Sequence, residues 1–187
     1  KNKFDLYIGL GKVNSNYKYL NSVGLPNKNV GTKTGEIFEL GIKNILELKK
    51  LNLGLEIELI NYNAIGNNDS VLFEWETLYG GLNSISNLKF PISKKINMHL
   101  DFGLGLQHII SGNQILGNEV FNLFSNNEFD GLFSNLKFNS GLSFVDFNKI
   151  TVGLFVGYNY SSSLDNNSTE KLNFSSFHIK IRLCSKN

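Results

Sequence analysis

Apolar and polar residues alternate along most of this 187-residue chain. In residues 51–59, for example, leucine or isoleucine stands at every second position, with asparagine, glycine or glutamate between. Because successive residues of a β-strand point to opposite faces, each such segment presents one apolar and one polar face. The pattern predicts a single all-β domain over residues 1–187 with eight strands, at 4–17, 35–46, 51–62, 78–90, 96–110, 130–145, 150–160 and 173–184.

The polar faces of these segments distinguish between two kinds of architecture. A soluble barrel or sandwich turns its apolar faces inward, whereas a membrane barrel turns them to lipid and its polar faces to the lumen. In this chain the polar faces are rich in glycine, asparagine and serine, and their charges have both signs. Glycine suits a narrow, curved lumen better than a flat exposed wall. The sequence therefore predicts an eight-stranded antiparallel up-and-down transmembrane β-barrel.

The predicted connections alternate in length. Longer polar loops follow strands one, three, five and seven, roughly at 18–33, 63–72, 111–129 and 162–172, and tight turns follow strands two, four and six. Long loops at one end (the loop end) and short turns at the other (the turn end) are typical of outer-membrane barrels. Aromatic residues near the strand ends are expected to form two interfacial girdles. They are Tyr19, Tyr158, Tyr160 and Phe174 at the loop end, and Phe4, Phe90 and Phe147 at the turn end.

The predicted lumen is lined by five acids, five bases and two histidines. They are Asp5, Glu39, Lys43, Glu56, Glu58, Lys89, His99, Asp101, Lys137, His178, Lys180 and Arg182. Because an unpaired buried charge is costly, we expect these groups to form a closed ion network that leaves no water-filled pore. Two pairs are expected from neighbouring strands, Lys43 with Glu56 and Asp5 with Arg182. A hydrated lumen with individually solvated charges is the alternative.

The fourth strand has the weakest apolar face. Gly80, Ser84 and Ser86 stand there among leucines and predict a shallow groove in the outer wall. Small residues let another backbone or helix approach closely within a membrane. This face is therefore a candidate contact for another outer-membrane protein, and a weak strand that is merely tolerated is the alternative.

Composition and motifs argue against several classes of function. The net charge is +2 and the basic residues are dispersed, which argues against a nucleic-acid partner. The three histidines lack zinc-ligand spacing, and a single cysteine rules out an internal disulfide. The Gly-x-Gly pairs lie inside predicted strands, where phosphate-binding loops do not form. We expect no catalytic residue, no metal site and no cofactor.

The arrangement of strands, loops and turns over residues 4–184 resembles the small eight-stranded outer-membrane barrels of the OmpA-barrel and OmpX-like group, without a periplasmic peptidoglycan-binding domain. The resemblance implies the outer membrane of a Gram-negative bacterium, with the termini in the periplasm and the long loops extracellular. It also implies contacts with outer-membrane lipid and lipopolysaccharide.

The function expected for such a barrel is that of a non-enzymatic structural or accessory subunit within a larger outer-membrane assembly. A small-solute channel or binding barrel is the alternative. A lipid A-modifying enzyme is the second alternative. Barrels of the deacylase type carry His-x-Ser, which none of the three histidines matches. Barrels of the palmitoyltransferase type carry an Asp-Ser pair, which occurs here as Asp69-Ser70 in a segment where turn residues are expected.

Overall fold

The described part of the chain is almost entirely β-strand. The computed structural model describes residues 4–20, 25, 29–48, 51–68, 71–124, 129–147, 150–164 and 171–185. These residues form nine strands: β1 (Asp5–Leu20), β2 (Val30–Leu48), β3 (Leu51–Asn68), β4 (Val71–Pro91), β5 (Ile96–Leu116), β6 (Glu119–Asn122), β7 (Leu132–Phe147), β8 (Ile150–Ser163) and β9 (Lys171–Ser185). No helix in the described ranges is long and apolar enough to cross a membrane.

Eight of the nine strands close into a ring. Their order is β4-β3-β2-β1-β9-β8-β7-β5, and the pairing of β4 with β5 completes the circle. Every pairing is antiparallel. The short β6 stands outside the ring and pairs with the last residues of β5. The predicted eight-stranded antiparallel barrel is confirmed, and β6 is an addition within the segment expected to be a loop.

The predicted apolar columns form the outer wall of the barrel. Leu104 is 65% exposed and Ile181 is 56% exposed, as befits side chains that face lipid in a membrane barrel. This apolar belt ends toward the loops near Lys12 and Glu36, which pair at 2.6 Å on the outer face. Beyond that pair, the outward side chains of β1 to β4 include the polar residues Asn14, Thr34, Asn61, Asn63, Glu74 and Glu76.

Several strands run further toward the loop end than predicted. The loop expected at 63–72 is wrong, because β3 continues to Asn68 and β4 begins at Val71. The cause is a change in the polarity of the two faces of these strands. Past the belt the outer face of β1 to β4 gains polar residues and the inner face becomes apolar, so the strands continue although the lipid-facing pattern has ended.

The interior at the loop end is a hydrophobic core. Aromatic side chains from five strands and from the segment before β7 meet there; this aromatic core comprises Tyr17, Tyr62, Phe73, Trp75, Tyr79, Phe129, Phe133 and Phe174. Phe174, expected in the outer girdle, instead points inward and is 1% exposed. The expectation of a uniformly polar lumen is therefore corrected at this end.

Candidate functional site

Alternate residues of five strands carry charges into the middle of the lumen, on the turn side of the aromatic core. The buried ion network consists of Glu39 and Lys43 on β2, Glu56 and Glu58 on β3, Asp101 on β5, Lys137 on β7, and Lys180 and Arg182 on β9. An eight-stranded barrel has an interior just wide enough for its own side chains. Residues far apart in sequence therefore come into contact across the lumen.

Lys137 lies at the centre of three carboxylates. Its Nζ donates to Glu56 Oε1 at 2.6 Å and to the carboxylates of Glu39 and Glu58, and all four side chains are fully buried. Carboxylate oxygens of the three glutamates lie within 4.8 Å of one another, an arrangement that can hold a metal ion. Here the ammonium of Lys137 supplies the positive charge, so a divalent cation would have to displace it.

Arg182 connects this centre to the turn-end half of the lumen. It donates through Nη1 to Asp101 Oδ2 at 2.5 Å and through Nη2 to Glu39 Oε2 at 2.9 Å. Its guanidinium lies 4.4 Å from the ring centroids of both Tyr7 and Phe155. A guanidinium that is paired on its edge and stacked on both faces has little rotational freedom. Arg182 is therefore a fixed part of the interior.

Neutral side chains add further hydrogen bonds to the network. Tyr7 donates to Glu56 Oε2 at 2.6 Å, and Asn159 donates to Glu58 Oε1 at 3.2 Å. Lys180 donates to Glu39 and, at 2.9 Å, to Asn139 Oδ1. Hydrogen bonds of this kind offset the loss of hydration that buried charges suffer.

Four of the residues expected in the network lie toward the turn end. Lys43 is 3.5 Å from Asp101, and Asp5 accepts a hydrogen bond from Asn44 at 2.7 Å. Lys89 is exposed. His99 is half-buried, and its Nε2 lies 2.8 Å from Ser143 Oγ.

Neither of the two specific pairs expected from the sequence forms. Glu56 lies opposite Gly41, which places Lys43 two residues nearer the turn end than Glu56. Arg182 lies opposite Gly9, four residues along β1 from Asp5. The register between strands, including a bulge after Ile42, determines which charges meet. His178 is buried, and its Nε2 lies 3.0 Å from Lys180 Nζ.

Two aromatic residues of the site were missed as functional. Tyr7 and Phe155 stand in the inward-facing columns of the sequence pattern, so the signal that could have found them was present. The glycines around them provide the space for their rings. A Cβ atom on Gly41 would lie 2.3 Å from Tyr7 Cζ, and one on Gly141 would lie 2.4 Å from Phe155 Cδ1.

The aromatic core closes the lumen above the ion network. The ring of Phe174 lies 4.3 Å from that of Tyr62, 4.9 Å from that of Phe133 and 5.0 Å from that of Tyr79, measured between centroids. Tyr62, Phe133 and Tyr79 are fully buried. The cross-section of the barrel at this height is filled by packed rings.

Gly80, Ser84 and Ser86 face outward, on the wall formed by β4. Ser84 is exposed, and Gly80 and Ser86 are partly exposed. Ile110 on β5 lies over the glycine, because a Cβ atom there would be 2.7 Å from its Cδ1. The small residues therefore form a shorter depression than the sequence indicates, centred on the two serines. The Asp69-Ser70 pair lies outside the described residues.

Comparisons with known proteins show what the fold is similar to. No protein-family model matches the chain, and no curated protein matches it in sequence. Neisserial surface protein A matches with a TM-score of 0.54 and 14% identity, over 97% of this chain and 97% of that one. The outer membrane protease OmpT of Escherichia coli matches with a TM-score of 0.53 and 10% identity, over 99% and 97%. One is described as a surface protein and the other as a protease, so shared architecture does not assign an activity. The chain has the fold of the outer-membrane β-barrels.

Proposed function

We propose that this protein is a non-enzymatic structural barrel of the outer membrane of a Gram-negative bacterium, with a lumen that is closed to ions and solutes. The observation that carries the proposal is that side chains fill the interior at the loop end and in the middle of the barrel. The aromatic core occupies the loop end, and the buried ion network occupies the middle. A solute would have to displace both.

The ion network supports a static lumen. The carboxylates of Glu39, Glu56 and Glu58 share the ammonium of Lys137. Arg182 is held by three acids and two aromatic rings. Removing one partner from such a buried group costs about 3–5 kcal/mol, because the charge left behind is unpaired in a medium of low polarity. Opening a pore through the network would separate several of these pairs at once.

Recording in a planar lipid bilayer tests the closed lumen against the small-solute channel. We expect no steady conductance from the purified protein under conditions in which a general porin conducts. The double variant Phe133→Ala, Phe174→Ala, which thins the aromatic core, is expected to stay closed because the ion network remains. A steady current from the unaltered protein would contradict the proposal.

Analysis of lipid A tests the proposal against the enzymatic alternative. His108 lies on the outer wall near the loop end, with Nε2 3.3 Å from Asp130 Oδ1. A lipid A-modifying barrel would use a residue in such a position. We expect lipid A from cells that produce the protein to keep its mass, whereas a change that disappears in a His108→Ala variant would establish an enzyme.

We place the turns and both termini in the periplasm and the loop end outside the cell. Two features support this orientation: the longer connections at the loop end, and a polar collar beyond the belt. The polar collar consists of the outward residues Asn14, Thr34, Asn61, Asn63, Glu74 and Glu76. An epitope inserted between Gly117 and Asn118 should bind antibody on intact cells, and one inserted between Ser93 and Lys94 should not. The reverse labelling would overturn the assignment.

The role of accessory subunit is a further part of the proposal. Ser84 and Ser86 leave a depression in a wall of larger apolar residues, which would suit a close approach by another outer-membrane protein. Co-purification from native membranes in mild detergent tests it. Ser84→Phe should release a partner while the barrel stays folded, and a complex that is unchanged by this substitution would exclude the face.

A further inference from the structure

A polar cavity of about 80 Å³ lies on the turn side of the ion network. Its lining comes from all eight ring strands and includes Asp5, Lys43, Lys89, His99, Thr151, Arg182 and Cys184. The cavity is continuous with the lumen. It is lined neither by the aromatic core nor by the Lys137 centre, which is Lys137 with Glu39, Glu56, Glu58 and Lys180. A ligand site in this cavity therefore does not depend on whether the barrel conducts ions.

Residues that line this cavity carry hydrogen-bond donors without partners. In the described ranges, Arg182 Nε and Thr151 Oγ1 have no hydrogen-bond partner, although these residues are only 1% and 6% exposed. Lys43 Nζ has its carboxylate contact at 3.5 Å, to Asp101, and lies 5.0 Å from the centroid of the Tyr7 ring. Buried donors of this kind are costly unless a partner satisfies them.

The two carboxylates nearest to the cavity already have donors. Asp5 accepts from Asn44 at 2.7 Å. Asp101 accepts from Arg182 at 2.5 Å and from the amide of Asn87. The site therefore has hydrogen-bond donors without acceptors, whereas its carboxylates already accept hydrogen bonds. This favours an anion over a cation as its ligand.

The distribution of charge along the lumen points the same way. The Lys137 centre contains three carboxylates, of Glu39, Glu56 and Glu58, against the two ammonium groups of Lys137 and Lys180. The residues that line the cavity include three cations, Lys43, Lys89 and Arg182, and one carboxylate, Asp5. Arg182 also pairs with Glu39 and Glu56 of the Lys137 centre. The lumen is balanced as a whole, and the positive excess lies at the cavity.

We infer that the turn-end cavity binds a small oxyanion, a carboxylate or phosphate group, through Lys43, Thr151 and the Nε–H of Arg182. Lysine and arginine are the residues that proteins use most for such groups, and a threonine hydroxyl adds a directed donor. The volume admits a compact anion and excludes a large one. The ligand would enter from the turn end, since the opposite end is closed by the aromatic core.

The thiol of Cys184 reports on this cavity, because it lines the site and is the single cysteine of the chain. We compare its rates of modification by two methanethiosulfonate reagents, one with a sulfonate group and one with a trimethylammonium group. A positive cavity concentrates anions, so the sulfonate reagent should react about tenfold faster. The ratio of the two rates is insensitive to the intrinsic reactivity of the thiol.

Occupancy is measured by protection of Cys184 with inorganic phosphate or acetate at constant ionic strength. Protection by either anion supports the site and identifies the preferred group. Thr151→Val, which keeps the shape of the side chain, and Lys43→Gln should each weaken protection several-fold. Lys12→Gln, on the outer wall, should leave it unchanged.

Two results would overturn the inference. One is equal rates, or a faster reaction with the cationic reagent, in the unaltered protein. The other is the absence of protection by both anions, which would leave the cavity filled by water alone. Faster gel migration of the unboiled sample shows that each variant is folded, and Thr151→Val keeps the test open if Lys43→Gln does not fold.

Discussion

Lys137 is paired with three buried carboxylates. Its ammonium contacts the carboxylates of Glu39, Glu56 and Glu58 inside the barrel. Lysine suits this position because it carries a compact charge on a long stem that can cross from β7 to β2 and β3. The charge balance of the middle of the lumen depends on this residue.

Replacing Lys137 by methionine, which keeps the length and removes the charge, should destabilise the barrel. The three carboxylates would lose their shared cation, and the expected loss in free energy of unfolding is about 3–5 kcal/mol. Urea unfolding in detergent micelles, followed by the fluorescence of the single tryptophan, measures it. Lys12→Met is the control, because its pair with Glu36 is exposed and should contribute little. Equal losses for the two variants would mean that water already screens the network.

At the scale of the element, β9 shows how one strand serves all layers of the barrel. Leu172 and Phe174 lie in the hydrophobic core at the loop end. Lys180 and Arg182, six and eight residues after Phe174, lie in the ion network. The residues that alternate with them along the strand, such as Phe177, face outward and are about half exposed. A side chain's role on this strand therefore depends on both its face and its height.

Phe174→Ala and Phe177→Ala compare an inward with an outward ring on the same strand. Phe174 is packed against four other aromatic rings, so its removal leaves a cavity and should cost about 3–5 kcal/mol. Phe177→Ala removes a ring from the outer wall and should cost clearly less. The same urea titration checks both. A larger loss in free energy of unfolding for Phe177→Ala than for Phe174→Ala would argue that the aromatic core does not stabilise the barrel.

At the scale of the whole molecule, the apolar belt and the polar collar set where a bilayer can lie. The outward column of β5 is apolar from Met98 to Leu106, and the collar begins on neighbouring strands at Lys12 and Glu36. The strands continue past this boundary, so the barrel projects beyond the lipid at the loop end. Exposure alone does not distinguish the two zones, because leucines face outward in both.

Leu104→Arg and Leu72→Arg locate the boundary. Both leucines are on the outer surface, 65% and 63% exposed, but Leu104 lies within the belt and Leu72 lies near the tip of the β3–β4 hairpin. An arginine at the middle of the bilayer should cost about 2–4 kcal/mol, and one near or beyond the interface about 0–1 kcal/mol. Unfolding from lipid bilayers measures both. Similar losses in free energy of unfolding for the two variants would mean that the bilayer extends further toward the loops, or that it does not surround the belt.

Much of the architecture was predictable because alternation is a local property. In each strand, residues two positions apart share a face, so the sequence pattern shows which face is apolar, as in 51–59. The inward position of Glu56, Lys137 and Arg182 follows from this alternation. The loop-end core was missed at the points where alternation changes sign. In β3, Leu55 and Ile57 face outward within the belt, whereas Tyr62 and Ala64 face inward beyond it.

The sequence by itself determined that eight segments are strands, which face of each is apolar, and that the inward charges nearly balance. Only the tertiary structure decided which charges meet. Arg182 pairs with Asp101 and Glu39 rather than with Asp5, because closure of the ring and its bulges set the register of every strand against its neighbours. Register is a non-local property, because it depends on how all the strands pair around the closed ring. The alternation of residues two positions apart does not determine it.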